Sequence, residues 1–164
     1  MGYFSHIDSE GKIRMVDVSK KKETLRAAQA SGNIILNKEI IDRIKNKSIQ
    51  KGDVLAAARI AGINAAKKTW ELIPLCHQIR LTNIDVNFEV DENENKIIAT
   101  SSVKGFDKTG VEMEAITAAT VSLITIYDMC KSFSKDMVIG GIKLSKKTGG
   151  KSNYVRDSVK NSTQ

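Results

Sequence analysis

The chain reads as an α+β protein, an antiparallel sheet with helices packed on one face. Three observations carry this reading. The stretch "IDVNFEV" alternates with period two: Ile84, Val86, Phe88 and Val90 share one side, and Asp85, Asn87 and Glu89 the other, as in a half-buried strand. The polar turn "DENEN" joins it to a second strand from about Lys96 to Phe106, completing a hairpin. Apolar residues stepping by three and four mark helices on both sides of that hairpin.

Each element can be justified in order. Residues 1 to about 20 hold glycine and polar residues with no sustained period, and a flexible N-terminal segment is expected there. "KETLRAAQASGNIIL" (Lys22 to Leu36) is ambiguous: its first half has helix formers, Ser31-Gly32-Asn33 would break a helix, and Ile34-Ile35-Leu36 suits a strand. "NKEIIDRIKN" reads as a short helix capped by Asn37, with Ile40, Ile41 and Ile44 on one face. "KGDVLAAARIAGINAAKK" reads as a longer one, capped by Asp53, with Lys67 and Lys68 where the helix dipole favours cations. Its small residues Ala57, Ala58, Ala61, Gly62, Ala65 and Ala66 predict a close helix–helix contact, and Pro74 stops any continuation.

After the hairpin and "DKTG", a long helix runs to about Lys131, with Met113, Ile116, Thr120, Leu123, Tyr127 and Cys130 as its expected apolar stripe. Val138, Ile142 and Leu144 mark a last strand, and the basic segment from about 146 to 164 reads as a flexible tail. If Lys22 to Leu36 is a strand, the order β-α-α-β-β-α-β is a ferredoxin-like split βαβ with one extra helix. A chain of 164 residues is suited to a single domain, 1–164, with a genuine core.

Composition narrows the function. With 41% apolar and 27% charged residues, the chain has an ordinary globular balance. No apolar run looks long enough to span a bilayer, and the N-terminus lacks the apolar centre of a signal peptide. Gly2 invites myristoylation, but His6 stands where Ser or Thr is needed. Cys76 and Cys130 are too few for a disulfide framework, so a cytoplasmic protein with reduced thiols is expected. A formal charge of +7 favours an anionic partner: nucleic acid, nucleotide or phosphorylated metabolite. Aromatic residues at 5% leave few stacking platforms for single-stranded nucleic acid.

Scarce residue types gather at "ELIPLCHQIRL", which holds the only proline, one of two cysteines and one of two histidines, directly after the only tryptophan, Trp70. His77 reads either as a hydrogen-bonded corner residue or as a group that changes charge near neutral pH. Zinc on Cys76, His77 and Cys130 is disfavoured, because neighbours in extended chain point apart and no CxxC spacing exists. Asp128 and Lys131 are neighbours on one helix face. Within apolar "SLITIYDMCKSF", such a pair is expected to be buried, coupled or at an interface.

Glu112 and Glu114 open the same helix, where carboxylates complement the dipole. Glu114 and Asp128 share nearly one face but stand roughly 21 Å apart along the axis, so a site using both is expected to be shared between subunits. Lys143, Lys146, Lys147 and Lys151 form a basic run around Gly149-Gly150, a solvated tail or a lysine clamp over a polyphosphate. "GGKS" is no P-loop, since Ser145 replaces the first glycine and no helix is expected after it. Lys51, Arg59 and Lys67 add charge at the second helix.

Several stretches together resemble one family: "RMVDVS", "KGDVLAAARIAGINAAKKTWELIPLCH", "KTGVEMEA", "TIYDMCK", "KDMVIGGIKL" and "KKTGGKS". They are similar to the cyclic pyranopterin monophosphate synthase (MoaC) family of molybdenum cofactor biosynthesis, in order over nearly the whole chain. Before Met15 the likeness loosens without touching a motif. The resemblance implies a lyase that converts (8S)-3',8-cyclo-7,8-dihydroguanosine 5'-triphosphate to cyclic pyranopterin monophosphate and releases pyrophosphate. It implies a homohexamer, a trimer of dimers with active sites at dimer interfaces, and allows a transient contact with the radical SAM enzyme that makes the substrate.

On the family pattern, Leu75, Cys76, His77, Met113 and Glu114 fall at substrate-binding positions and Asp128 at the catalytic one. Lys51, Lys131, Arg26, Glu112, Lys67, Lys147 and Lys151 match its charged pocket. The expected roles follow: Asp128 and Lys131 as a coupled acid/base pair, Lys51 assisting, His77 and Glu114 orienting the base portion, and the remaining cations holding the triphosphate. No metal ligand set or cofactor is implied; magnesium with the triphosphate is compatible with the sequence but not required by it. The alternative, a non-enzymatic basic ferredoxin-like nucleic-acid-binding module, is disfavoured by "VKGFDKTG", where Asp107 follows Phe106 in place of a small residue and further aromatics. A scaffold that only binds the upstream enzyme would leave Asp128 and Lys131 without a purpose.

Overall fold

The computed structural model describes residues 10–156; the ends of both expected flexible segments, and Gly2 and His6 with them, lie outside the described residues. Five strands form one antiparallel sheet: β1 (Thr24–Ile35), β2 (Leu81–Asp91), β3 (Lys96–Asp107), β4 (Val138–Thr148) and β5 (Tyr154–Val155), in the order β2-β3-β1-β4-β5. Without β5 this is the strand order of the split βαβ fold, as the sequence predicts. The helices are α1 (Lys38–Lys45), α2 (Val54–Lys67), the single turn α3 (Thr69–Leu72) and α4 (Glu112–Cys130).

The ambiguous first segment is strand β1, and its small residues explain why. Ala28, Ala30 and Gly32 face α4, and a Cβ on Gly32 would come within 2.9 Å of Leu123 Cδ1. A helix-breaking composition here lets a helix lie close on the sheet. Both caps form as expected: the Asn37 side chain accepts from the Ile40 N–H at 2.9 Å, and Asp53 from Ala56 N–H at 3.0 Å. The Ala/Gly surface of α2 packs against α4, where a Cβ on Gly62 would meet the Ser122 hydroxyl and lie 2.8 Å from the Ala118 carbonyl oxygen.

Three expectations need correction. The buried face of α4 is broader than the predicted stripe and turned from it: Ala115, Ala118, Ala119, Ser122, Leu123, Ile126, Met129 and Cys130 are buried, while Met113, Ile116, Thr120 and Tyr127 are only half-buried. The helix is covered by the sheet on one side and α2 on another, so one period cannot describe it. By length and composition α4 is also apolar enough to cross a membrane. Its seat between sheet and α2 accounts for that apolarity, although no apolar run of membrane-spanning length was expected.

The third correction concerns the basic tail. Lys146, Lys147 and Thr148 continue β4 and pair with Gln29, Ala28 and Ala27; Lys146 and Lys147 pair in turn with Val155 and Tyr154 of β5. Between them, Gly149 takes a positive φ of +88°, and its missing Cβ makes room for the Leu25 carbonyl. Lys147 and Lys151 are thereby brought to the end of β1 that carries Arg26.

Candidate active site

Pro74 interrupts the chain after α3, and the turn that follows, closed by the Cys76 N–H donating to the Ile73 carbonyl at 3.0 Å, presents Leu75, Cys76 and His77 to the N-terminal end of α4. There they line a cavity of about 400 Å³ with Met113, Glu112 and Glu114. Val16, Val18 and Lys21 cover another side. His77 Nε2 donates to the Val16 carbonyl oxygen at 2.9 Å, which fixes the ring and leaves Nδ1 as the acceptor in the neutral form. The corner reading of His77 holds, since its ring is hydrogen-bonded there, and the same ring lines the cavity.

Glu114 is the least ordinary group in this cavity. It is 3% exposed, and its Oε2 has no hydrogen-bond partner among the described residues. Burial pushes its carboxyl from 4.5 up to about 7, the charge of Glu112 adds to this, and its own backbone N–H works against it. Near neutral pH it can act as a proton donor or acceptor. Cys76 is pushed up as well, first by burial and then by Glu114, which keeps it a thiol.

A second cavity of about 200 Å³ adjoins the first and shares Lys21, Thr109, Gly110 and Glu112 with it. Its other walls are strongly cationic: Arg26, Lys108, Lys147 and Lys151. The Lys147 ammonium is 3.0 Å from Glu112 Oε1, and Arg26 donates to the backbone oxygens of Asp107 and Lys108 at 3.4 and 3.2 Å. Lys67 is not part of either space; it lines a third cavity against Ile79 and Ile84. Arg59 donates to the Val86 carbonyl at 2.8 Å, a structural bond between α2 and β2.

The remaining predicted residues lie at the other end of α4. Asp128 holds two lysines, Lys131 Nζ at 2.7 Å and Lys51 Nζ at 3.2 Å, and Lys51 also donates to the Asp128 carbonyl at 2.8 Å. A cation on the last carbonyls complements the helix C-terminus. The bond from Lys131, then that from Lys51, holds Asp128 below the usual carboxylate range, and Asp128 in turn raises Lys131. The expectation of burial is corrected: the Asp128 and Lys131 side chains are 57% and 54% exposed, because they project from the open side of the last turn. They are coupled, and they lie outside the cavity of Glu114.

Sequence reasoning missed Lys21, Lys108, Val16 and Val18 as cavity residues. Val16, Val18 and Lys21 lie on one segment and Lys108 on a loop far from it in the chain. Val16, Val18 and Lys108 fall in the stretches that carry the family resemblance, but no local period marks any of the four as a cavity residue. Among the described residues, no cluster of three or more His, Cys, Asp or Glu side chains could hold a metal ion.

Comparison with known proteins adds the following. A model described as "MoaC family" matches residues 15–150. A protein named cyclic pyranopterin monophosphate synthase from Magnetococcus marinus is 50% identical over 159 residues, 96% of this chain and 98% of that protein. One of the same name from Thermoanaerobacter pseudethanolicus is 53% identical over 155 residues, 94% and 98%. Another from Heliobacterium modesticaldum is 50% identical over 158 residues, 96% and 99%.

Proposed function

The chain belongs to the MoaC family, and from that premise we propose that it is a cyclic pyranopterin monophosphate synthase, a lyase of molybdenum cofactor biosynthesis. The substrate would be (8S)-3',8-cyclo-7,8-dihydroguanosine 5'-triphosphate, and the products cyclic pyranopterin monophosphate and pyrophosphate. The observation that carries this is the joined pair of cavities, one holding a buried neutral-range acid and the other rich in cations.

The two spaces match the two halves of such a substrate. The polar, partly apolar cavity of His77, Cys76, Met113 and Glu114 suits the ring system, whose rearrangement needs repeated proton transfers. A carboxyl near 7 can both give and take a proton at working pH. Arg26, Lys147 and Lys151 suit the phosphates and stabilise the charge that develops on departing pyrophosphate. A divalent ion, where used, would arrive with the triphosphate.

Asp128, Lys131 and Lys51 enter as a second acid/base group. Their distance from Glu114, roughly 21 Å along one helix, supports a site completed by a second copy of the chain, within a trimer of dimers. In the same proposal Lys67 meets the substrate from that copy, the protein works in the cytoplasm with both thiols reduced, and it meets its upstream radical SAM partner only in passing. Incubating the purified protein with the cyclised nucleotide tests the reading: cyclic pyranopterin monophosphate and pyrophosphate should appear in equal amounts. Turnover undiminished in Asp128→Ala would remove Asp128 from the chemistry.

A further inference from the structure

Four residues line both cavities: Lys21, Thr109, Gly110 and Glu112. Lys21 is the only cation among them. Its surroundings differ from those of Arg26, Lys108 and Lys147, and Lys151, which is also unpaired among the described residues, lines only the cationic cavity and not the seam. Lys147 is tied to Glu112 at 3.0 Å, Lys108 Nζ donates to the Ser19 carbonyl at 3.2 Å, and Arg26 is committed to two backbone oxygens. Among the described residues the Lys21 ammonium has no hydrogen-bond or ion-pair partner.

Its backbone, by contrast, is fixed. The Lys21 N–H donates to the Val18 carbonyl at 3.0 Å, the Ser19 N–H donates to Asp17 at 2.8 Å, and Val16 is held by His77 at 2.9 Å. The segment 16–21 is thus held at Val16 by His77 and at Ser19 by Lys108, and a local turn bond carries Lys21 from there. It presents one uncommitted ammonium at the seam. At the same seam the Glu112 carboxylate lies over Gly110, in the space a Cβ there would take.

We propose that Lys21 contacts the phosphoryl group nearest the sugar, the one retained as the cyclic phosphate in the product. This rests on the function proposed above. In a nucleoside triphosphate that phosphoryl group is where the ring-bearing part meets the phosphate chain, so it belongs at the seam of the two cavities. In the cyclisation a hydroxyl oxygen forms a bond to this phosphorus, and its proton passes to a base. The bond from phosphorus to the pyrophosphate oxygen breaks, with the electron pair leaving on pyrophosphate. An ammonium at this group meets charge that builds on the non-bridging oxygens as the new bond forms. Lys21 is therefore a contact for the reacting phosphorus, distinct in role from the cations that hold the leaving group.

The test separates these roles with three probes: the cyclised nucleotide in turnover, and guanosine monophosphate and inorganic pyrophosphate in binding. Lys21→Ala should lower kcat at least tenfold and weaken the monophosphate several-fold, while pyrophosphate affinity stays within about twofold; Lys21→Arg should recover much of the loss. In binding, Lys147→Ala should show the opposite pattern, losing pyrophosphate affinity while keeping the monophosphate. Equal weakening of pyrophosphate by Lys21→Ala would place Lys21 on the leaving group and overturn the inference, and so would unchanged kcat and monophosphate binding. If the wild-type chain binds these probes but gives no cyclic product, the proposed function fails instead, and the binding pattern of Lys21→Ala still judges Lys21.

Discussion

Lys147, on the last long strand, meets Glu112, at the first residue of α4, through an ammonium–carboxylate contact of 3.0 Å. A carboxylate therefore holds a cation inside the pocket proposed for phosphates. A phosphate entering that pocket must compete with Glu112 for Lys147, and when pyrophosphate leaves, the pair can close again. Glu112→Gln should tighten pyrophosphate binding several-fold, and Lys147→Ala should weaken it about tenfold, as expected for loss of a charge-assisted bond. Calorimetric titration with pyrophosphate checks both. Equal affinity in wild type and Glu112→Gln would show that the pair does not compete with the ligand.

The buried carboxyl of Glu114 makes stability depend on pH with a definite sign. Its folded value, about 7, is above the ordinary 4.5, so the folded state holds the proton more tightly than the unfolded chain does. Its stabilising contribution is complete below the ordinary value and is lost as pH rises through about 7. Glu114→Gln keeps the shape without the titration. Between pH 5 and 8 the wild type should lose about 2.5 kcal/mol relative to that variant. Urea unfolding at several pH values measures the difference, and parallel curves would contradict it.

Gly62 gives a test of the α2–α4 packing in which ordinary helix propensity predicts the wrong direction. Gly to Ala within an exposed helix usually stabilises by about 1 kcal/mol. Here the added Cβ would run into Ser122 and approach the Ala118 carbonyl to 2.8 Å. Gly62→Ala should therefore destabilise by about 1–3 kcal/mol, as overpacking does. Leu123→Ala, at a side chain with no exposure, should cost about 2–5 kcal/mol through the cavity it leaves above β1. Denaturant midpoints of the two variants decide the matter.

Local pattern was enough where an element meets one neighbour. The alternation from Ile84 to Val90 announces β2 because one face is covered and the other open, and Asn37 and Asp53 announce helix starts because capping is a contact within four residues. It was not enough for α4, whose two covered sides mix large residues toward the sheet with Ala118 and Ser122 toward α2. It failed for Lys146 to Thr148, where polar side chains gave no apolar alternation and only pairing with β1 shows a strand. The same holds for the candidate site. The corner at Pro74 and the start of α4 were visible as unusual local composition, whereas Lys21 and Val16 reach the cavity only through the folded path of segment 16–21.

The separation of Glu114 from Asp128 along α4 leads to the last prediction. If each site joins the cavity end of one copy to the Asp128 end of another, damage at the two ends should complement between chains. Asp128→Ala and Lys147→Ala each remove one end, and each should be nearly inactive alone. Co-expressed in equal amounts with different tags, they should pair at random, so that half of the dimers are mixed. Each mixed dimer would have one site with both defects and one with neither, restoring about a quarter of wild-type activity. A site contained within one chain would gain nothing from mixing, because every chain would still carry its own defect. Activity of the co-expressed mixture, compared with the two single variants, therefore distinguishes a shared cleft from a private one.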